Sequence, residues 1–159
     1  MRLGDVVVGV DGSPSARAAL RWAARQARLT GGRVYAVTAW QIPAYYGWAP
    51  TAPYDEDLAA VAGKTLGVAV HSVLGDDPPD LEVVERVEPG HPAQVLIDLS
   101  ARAGLLVVGS RGHSPFAGAL IGSVSQQCVQ HAHCPVVVVR GNPQRLSGTE
   151  RPVHGETGE

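Results

Sequence analysis

The stretch LLVVGSRGHSPFAGALIGSVSQQCVQHAHCPVVVVR, residues 105 to 140, decides the fold. It opens and closes on short apolar runs, Leu105 to Val108 and Pro135 to Val139, each suited to a strand buried on both faces. Between them lie glycines at 109, 112, 118 and 122 and serines at 110, 114, 123 and 125, followed by a stretch of helical period. Ser123 with Gln126 three residues later has the form of a capping box, which predicts a helix N-terminus at Ser123. A Gly-rich loop feeding a helix start suits an anion. Residues without a Cβ let amides approach phosphate oxygens, and the dipole and unpaired amides of the helix attract the same charge. Glycine also serves turns, so spacing alone does not name a ligand.

Working outward, the same alternation of Val-rich runs and helical stretches recurs along the chain. Val6 to Val10 reads as the first strand, ending in Asp11-Gly12-Ser13-Pro14, where Ser13 suits a helix cap and Pro14 the first helical turn. Ala16, Ala19, Leu20, Ala23, Ala24 and Ala27 then form an apolar stripe, while Arg17, Arg21, Arg25 and Arg28 line another face, read as solvated. Gly31-Gly32 ends this helix. Arg33 to Trp40 is a second strand, followed by an aperiodic loop, QIPAYYGWAPTAP, residues 41 to 53. Its Tyr45, Tyr46 and Trp48 form either a lid or partner surface, or a patch packed on their own domain. Tyr54 to Leu74 reads as a second helix, Leu81 to Val87 as a third strand, and Ala93 to Ala103 as a third helix opened by Pro92. The result is an α/β protein with five strands and four helices, the sheet parallel and covered on both faces. Residues 141–159 are polar, with Leu146 and Val153 as the aliphatic anchors, and are expected to be a disordered tail after a domain over 1–140.

Composition narrows the function. A chain of 159 residues with 45% hydrophobic content builds one sizeable core. A formal charge of −2 argues against nucleic acid and anionic membranes as partners. The start, MRLGDVVVGVDGS, has an apolar run too short for a leader or a membrane span, so the expected compartment is the cytoplasm. Cys128 and Cys134 fit reduced thiols there and are both expected to be buried.

Two phosphate motifs are absent. Gly63-Lys64-Thr65 mimics the end of a P-loop, but Leu58 stands where its first glycine belongs. The dinucleotide fingerprint fails after Gly9 and Gly12. Cys128, His131, His133 and Cys134 are suitable zinc ligands, yet His133 and Cys134 are adjacent and diverge on a helix, so no metal site is expected. No nucleophile with a neighbouring histidine and orienting carboxylate is evident from spacing.

The glycines at 109, 112 and 122 with Ser123, spaced Gly-x2-Gly-x9-Gly-Ser, resemble the ATP-binding signature of universal stress proteins. The resemblance extends through VVVGVDGSPSARAALRWAA, LLVVGSRG and GSVSQQCVQHAHCPVVVVR, covering roughly residues 5 to 140. It implies a three-layer α/β/α fold of strand order 3-2-1-4-5, Rossmann-like and similar to adenine nucleotide alpha hydrolases. That order puts the first and fourth strands side by side, where open α/β sheets bind ligands. By this resemblance ATP is the ligand, with Mg2+ or Mn2+. Gly109, Gly112, Gly122 and Ser123 hold phosphates, joined by Ser110, by Val124 and Ser125 at the helix start, and by Arg111, His113, Ser114 and Pro115 in the loop body. Gly9 and Asp11 contact the nucleotide, and the backbone at Ala39 receives the adenine edge. Asp11 bonds ribose, holds the cation or merely stabilises its turn. The resemblance also implies a homodimer paired through Val136 to Val139. The expected function is a nucleotide-dependent stress sensor. The alternatives are a slow ATPase or nucleotidyl-transfer enzyme, and a flavin or electron carrier of similar architecture.

Overall fold

Val6–Gly9, Val34–Trp40, Val83–Pro89, Leu105–Gly109 and Val136–Val139 form strands β1 to β5, and Pro14–Thr30, Asp55–Leu74, Pro92–Ser100 and Ser123–His131 form helices α1 to α4. The computed structural model describes residues 1–41, 55–76, 78–112 and 121–141. The aromatic loop from residue 42 onward and the tail from 142 lie outside them. All strands pair in parallel, in the order β3-β2-β1-β4-β5. The expected five-stranded α/β fold with four helices is the observed one.

Period two along each strand sorts the core into two layers. Val6, Val8, Val34, Ala36 and Val107 point to one face, where they meet Ala19, Leu20, Ala23 and Ala27 of α1 and Leu66, Ala69 and Val70 of α2. Val7, Tyr35, Val37, Leu106 and Val108 point to the other, against Leu96 and Ile97 of α3 and Cys128 of α4. The alanine seam of α1 lets it lie close to the sheet. Its first turn is capped by the Ser13 hydroxyl, which accepts from the Ala16 amide at 3.2 Å, and its last by Gly31 at φ 65°, where an L side chain would be strained. Arg17, Arg21, Arg25 and Arg28 form the exposed face, as expected, with Arg28 Nε 2.7 Å from Asp80 Oδ2.

Element ends differ from the sequence reading for identifiable reasons. Leu81 precedes β3 because its amide closes a turn onto the Pro78 carbonyl at 3.1 Å. Pro89 still pairs with Trp40, which the edge position of β3 permits. Helix α3 stops at Ser100, after which the amides of Arg102 and Ala103 reach back only three residues. Cys128 is fully buried, but Cys134, expected to be buried too, is half-exposed because α4 has already ended at His131. Burial pushes the Cys128 thiol up to about 11.

Asp5, which composition and periodicity did not single out, is wholly buried at the foot of β1. Its Oδ2 accepts from Arg33 Nη2 at 2.9 Å and from the Arg2 amide at 2.7 Å, and its Oδ1 accepts from the Arg33 amide at 3.1 Å. Burial alone would raise its pKa; the hydrogen bonds from Arg33 and Arg2 and the guanidinium charge outweigh that and hold it at about 2. Among the described residues no helix is long and apolar enough to cross a membrane.

Candidate functional site

In this strand order β1 and β4 are neighbours with crossovers leaving on opposite sides, so a crevice opens at their carboxyl ends. It holds a cavity of about 270 Å3. Val37, Thr38 and Ala39 at the end of β2, with Pro92, Val95 and Leu96 of α3, supply a largely apolar wall. Asp11 after β1, Arg111 and Gly112 after β4, and Gly122 to Ser125 at the start of α4 supply a polar one. A planar apolar group and a phosphate chain would each find a suitable wall.

Three buried serines brace the polar wall. The Ser15 hydroxyl donates to the Arg111 carbonyl and accepts from the Arg111 amide at 3.3 Å, while the Ser13 hydroxyl reaches the same carbonyl at 3.3 Å. The Ser125 hydroxyl donates to the Gly109 carbonyl. The backbone adds two more ties: the Ser110 amide donates to the Val139 carbonyl at 2.8 Å and the Gly122 amide to the Ser110 carbonyl at 2.7 Å. Every tie joins segments distant in sequence, so the loop ends are held by α1, α4 and β5 together.

The glycines divide by what a Cβ would meet. At Gly109 it would stand 2.8 Å from the Ala16 amide nitrogen, so this glycine lets α1 lie on β4. At Gly9 it would meet only the Leu96 side chain, at 2.8 Å, and at Gly112 the Asp11 carboxylate, at 2.9 Å. Gly122 is different. A Cβ there has ordinary clearance, 3.5 Å to both Arg111 Cα and the Gly112 nitrogen, and φ −68° with ψ 161° suits any residue. Among the described residues, neither backbone nor packing demands a glycine at this point of the cavity wall.

Gly122 is also the N-cap of α4 and, having no side chain, makes no side-chain capping bond. The Gln126 amide bonds to the Gly122 carbonyl at 2.9 Å, so Ser123 is the first helical residue and not the cap that its spacing to Gln126 predicted. The first-turn amides of Ser123, Val124 and Ser125 border the cavity without the side-chain cap that α1 enjoys. Asp11 is at the exposed rim, its Oδ1 accepting from the Ser13 amide at 2.9 Å, which is the turn-stabilising contact expected of an aspartate there.

Of the residues singled out from sequence, Gly9, Asp11, Ala39, Gly109, Arg111, Gly112, Gly122, Ser123, Val124 and Ser125 meet on this one cavity. Ser110 does not line it; it is buried behind the wall and bonded to Val139 and Gly122. The Gly122 amide, expected to face phosphate, instead closes onto Ser110. His113, Ser114 and Pro115 lie outside the described residues. The sequence reading missed Val37, Thr38, Pro92, Val95 and Leu96; a prolyl helix start following β3 was the available signal. It also missed Ser15, whose partner is far away in the chain. Among the described residues no group of three or more His, Cys, Asp or Glu is placed to hold a metal ion.

Comparison with known proteins agrees with this architecture. The sequence profile of the universal stress protein family matches residues 3–140. The universal stress protein Rv2623 of Mycobacterium tuberculosis strain H37Rv is 35% identical over 144 residues, covering 84% of this chain and 46% of that protein. The chain thus spans about half the length of such curated relatives. A universal stress protein solved in complex with cAMP is 28% identical with a TM-score of 0.55, covering 87% of this chain and 97% of that one. UspA from Lactobacillus plantarum superposes with a TM-score of 0.70 at 22% identity, covering 88% and 99%. On the matched profile, the shared identity and the strand order together, this chain belongs to the universal stress protein family.

Proposed function

We propose that this protein binds ATP in the cleft between β1 and β4 and acts as a nucleotide-responsive regulator in a stress response. The observation that carries the reading is Gly122: a glycine that neither its backbone nor its described neighbours require, standing as a side-chain-free N-cap on the cavity wall. A ligand occupying that space explains why a side chain is excluded, and a phosphate is the ligand that helix amides attract. The cAMP bound by the 28% identical relative supports an adenine nucleotide.

In this reading the Gly112 amide and the amides of Ser123, Val124 and Ser125, with the Ser123 hydroxyl and the Arg111 charge, take the phosphates. His113, Ser114 and Pro115 complete the loop, Gly9 leaves room beneath the nucleotide, and the Ala39 backbone receives the adenine edge. Asp11, at the rim, fits a ribose hydroxyl or a Mg2+ that is otherwise held by phosphates and water. Residues 1–140 act as the binding unit, 141–159 as an appended tail, and β5, an edge strand with partly exposed valines, pairs two copies in the cytoplasm.

Calorimetric titration of ATP into the wild-type protein and a Gly122→Glu variant tests this. Loss of one charge-assisted contact is worth roughly 1.5 to 3 kcal/mol, about 10- to 150-fold in affinity, and the added charge deepens it. Equal ATP binding by a folded variant would refute the site. Phosphate release at multiple turnovers per second would favour the enzymatic alternative.

A further inference from the structure

We infer that Ser15, which does not line the cavity, is the positioning residue that aims the Gly112 amide at the ligand. Its single hydroxyl serves both polar groups of residue 111, donating to the carbonyl and accepting from the amide at 3.3 Å, as a neighbouring strand would have done had β4 continued. The consequence lies in the next peptide. The Arg111 carbonyl and the Gly112 N–H belong to one planar trans unit and point in opposite directions. With the carbonyl anchored to α1 through Ser15, the Gly112 N–H is turned away from α1. The Gly112 nitrogen is 3.5 Å from the Cβ position of Gly122, the space assigned above to a phosphate.

The position leaves room only for a small side chain. A Cβ on Gly109 would stand 2.6 Å from Ser15 Oγ, and one on Gly141 would stand 2.9 Å from Ser15 Cα, so the end of β4 and the chain after β5 both close on this residue. Ser13 also reaches the Arg111 carbonyl, but its hydroxyl additionally caps α1, whereas Ser15 has no capping duty. This inference rests on the ATP-binding reading for its ligand, not for its geometry.

Ser15→Ala removes one oxygen and improves helix propensity, so α1 should persist. Ser100→Ala is the matched control: that buried hydroxyl also bridges backbone, donating to the Ile97 carbonyl at 2.6 Å and accepting from the His133 amide at 2.8 Å, away from the cavity. Thermal unfolding should fall similarly in both variants, while calorimetry should find ATP affinity lowered about tenfold in Ser15→Ala alone. Equal ATP affinity in Ser15→Ala and wild type would overturn the assignment. In the wild-type protein, the Gly112 amide resonance should move on ATP addition more than that of Ser110, whose N–H is tied to Val139. An unmoved Gly112 resonance beside clear ATP binding would also overturn it. If wild type bound no ATP, the ligand reading would fall. Hydrogen exchange would then judge the clamp by itself, and an Arg111 amide exchanging no faster in Ser15→Ala would reject it.

Discussion

The Asp11 carboxylate is pressed against Gly112, with Oδ2 only 2.9 Å from where a Cβ on that glycine would stand. The turn after β1 and the loop after β4 are therefore in contact at the cavity rim, and Gly109 at the end of β4 and Gly112 beyond it have unlike duties. Gly112 faces the end of the Asp11 side chain, whose other oxygen accepts from the Ser13 amide; Gly109 faces the backbone of α1 at 2.8 Å.

Gly112→Ala should consequently cost less folding stability than Gly109→Ala, because it displaces a side-chain end and not backbone, and weaken ATP binding by roughly 1 kcal/mol, about fivefold. Gly109→Ala should do the reverse, destabilising the fold by about 1 to 3 kcal/mol through overpacking against α1. Denaturant titration beside calorimetry separates the two, and the same ranking in both assays would contradict this division.

Asp5 gives the fold an acid limit. Its carboxyl is held at about 2 in the folded chain against 3.8 as its ordinary value, so between those limits the unfolded chain binds more protons. The stabilisation is complete above about pH 4 and fades as the pH falls toward 2, contributing about 2 kcal/mol at neutral pH. Asp5→Asn should lower stability at pH 7 and flatten its dependence on pH below 4, measured by urea unfolding across that range. An equally steep acid limb in the variant would exclude this pair as its source.

The two thiols should be distinguishable. Burial raises the pKa of both, Cys128 to about 11, and only Cys134 has any solvent contact. Iodoacetamide at pH 7 should therefore label Cys134 slowly and Cys128 only after denaturation. Early labelling of Cys128 in the folded protein, read by peptide mass spectrometry, would contradict the packing of α4.

Much of this molecule is written locally. The valine runs with their period of two, the alanine stripe of α1, and Ser13 with Pro14 at a helix start each state their structure within a few residues, because backbone propensity and burial pattern act over that range. The family signature then carried the strand order, and with it the meeting of Asp11 and Gly112. Local reading failed where a distant group decides. The helix starts at Ser123 as read, yet Gly122, whose amide is tied to Ser110, takes the cap position that the residue types assigned to Ser123. Asp5 looks like an ordinary polar strand start, and only its partners, Arg33 just before β2 and the Arg2 amide, make its burial tolerable.

By itself, then, the sequence determined which segments are strands and helices, and which glycines gather near the ends of β1 and β4. Only the tertiary structure decided what each glycine is for and which way the Gly112 amide faces. A hydrogen bond or a steric limit belongs to two groups at once, and here the partners, Ser15 with Arg111 and Gly109 with Ala16, are brought together by the sheet order and not by proximity in the chain.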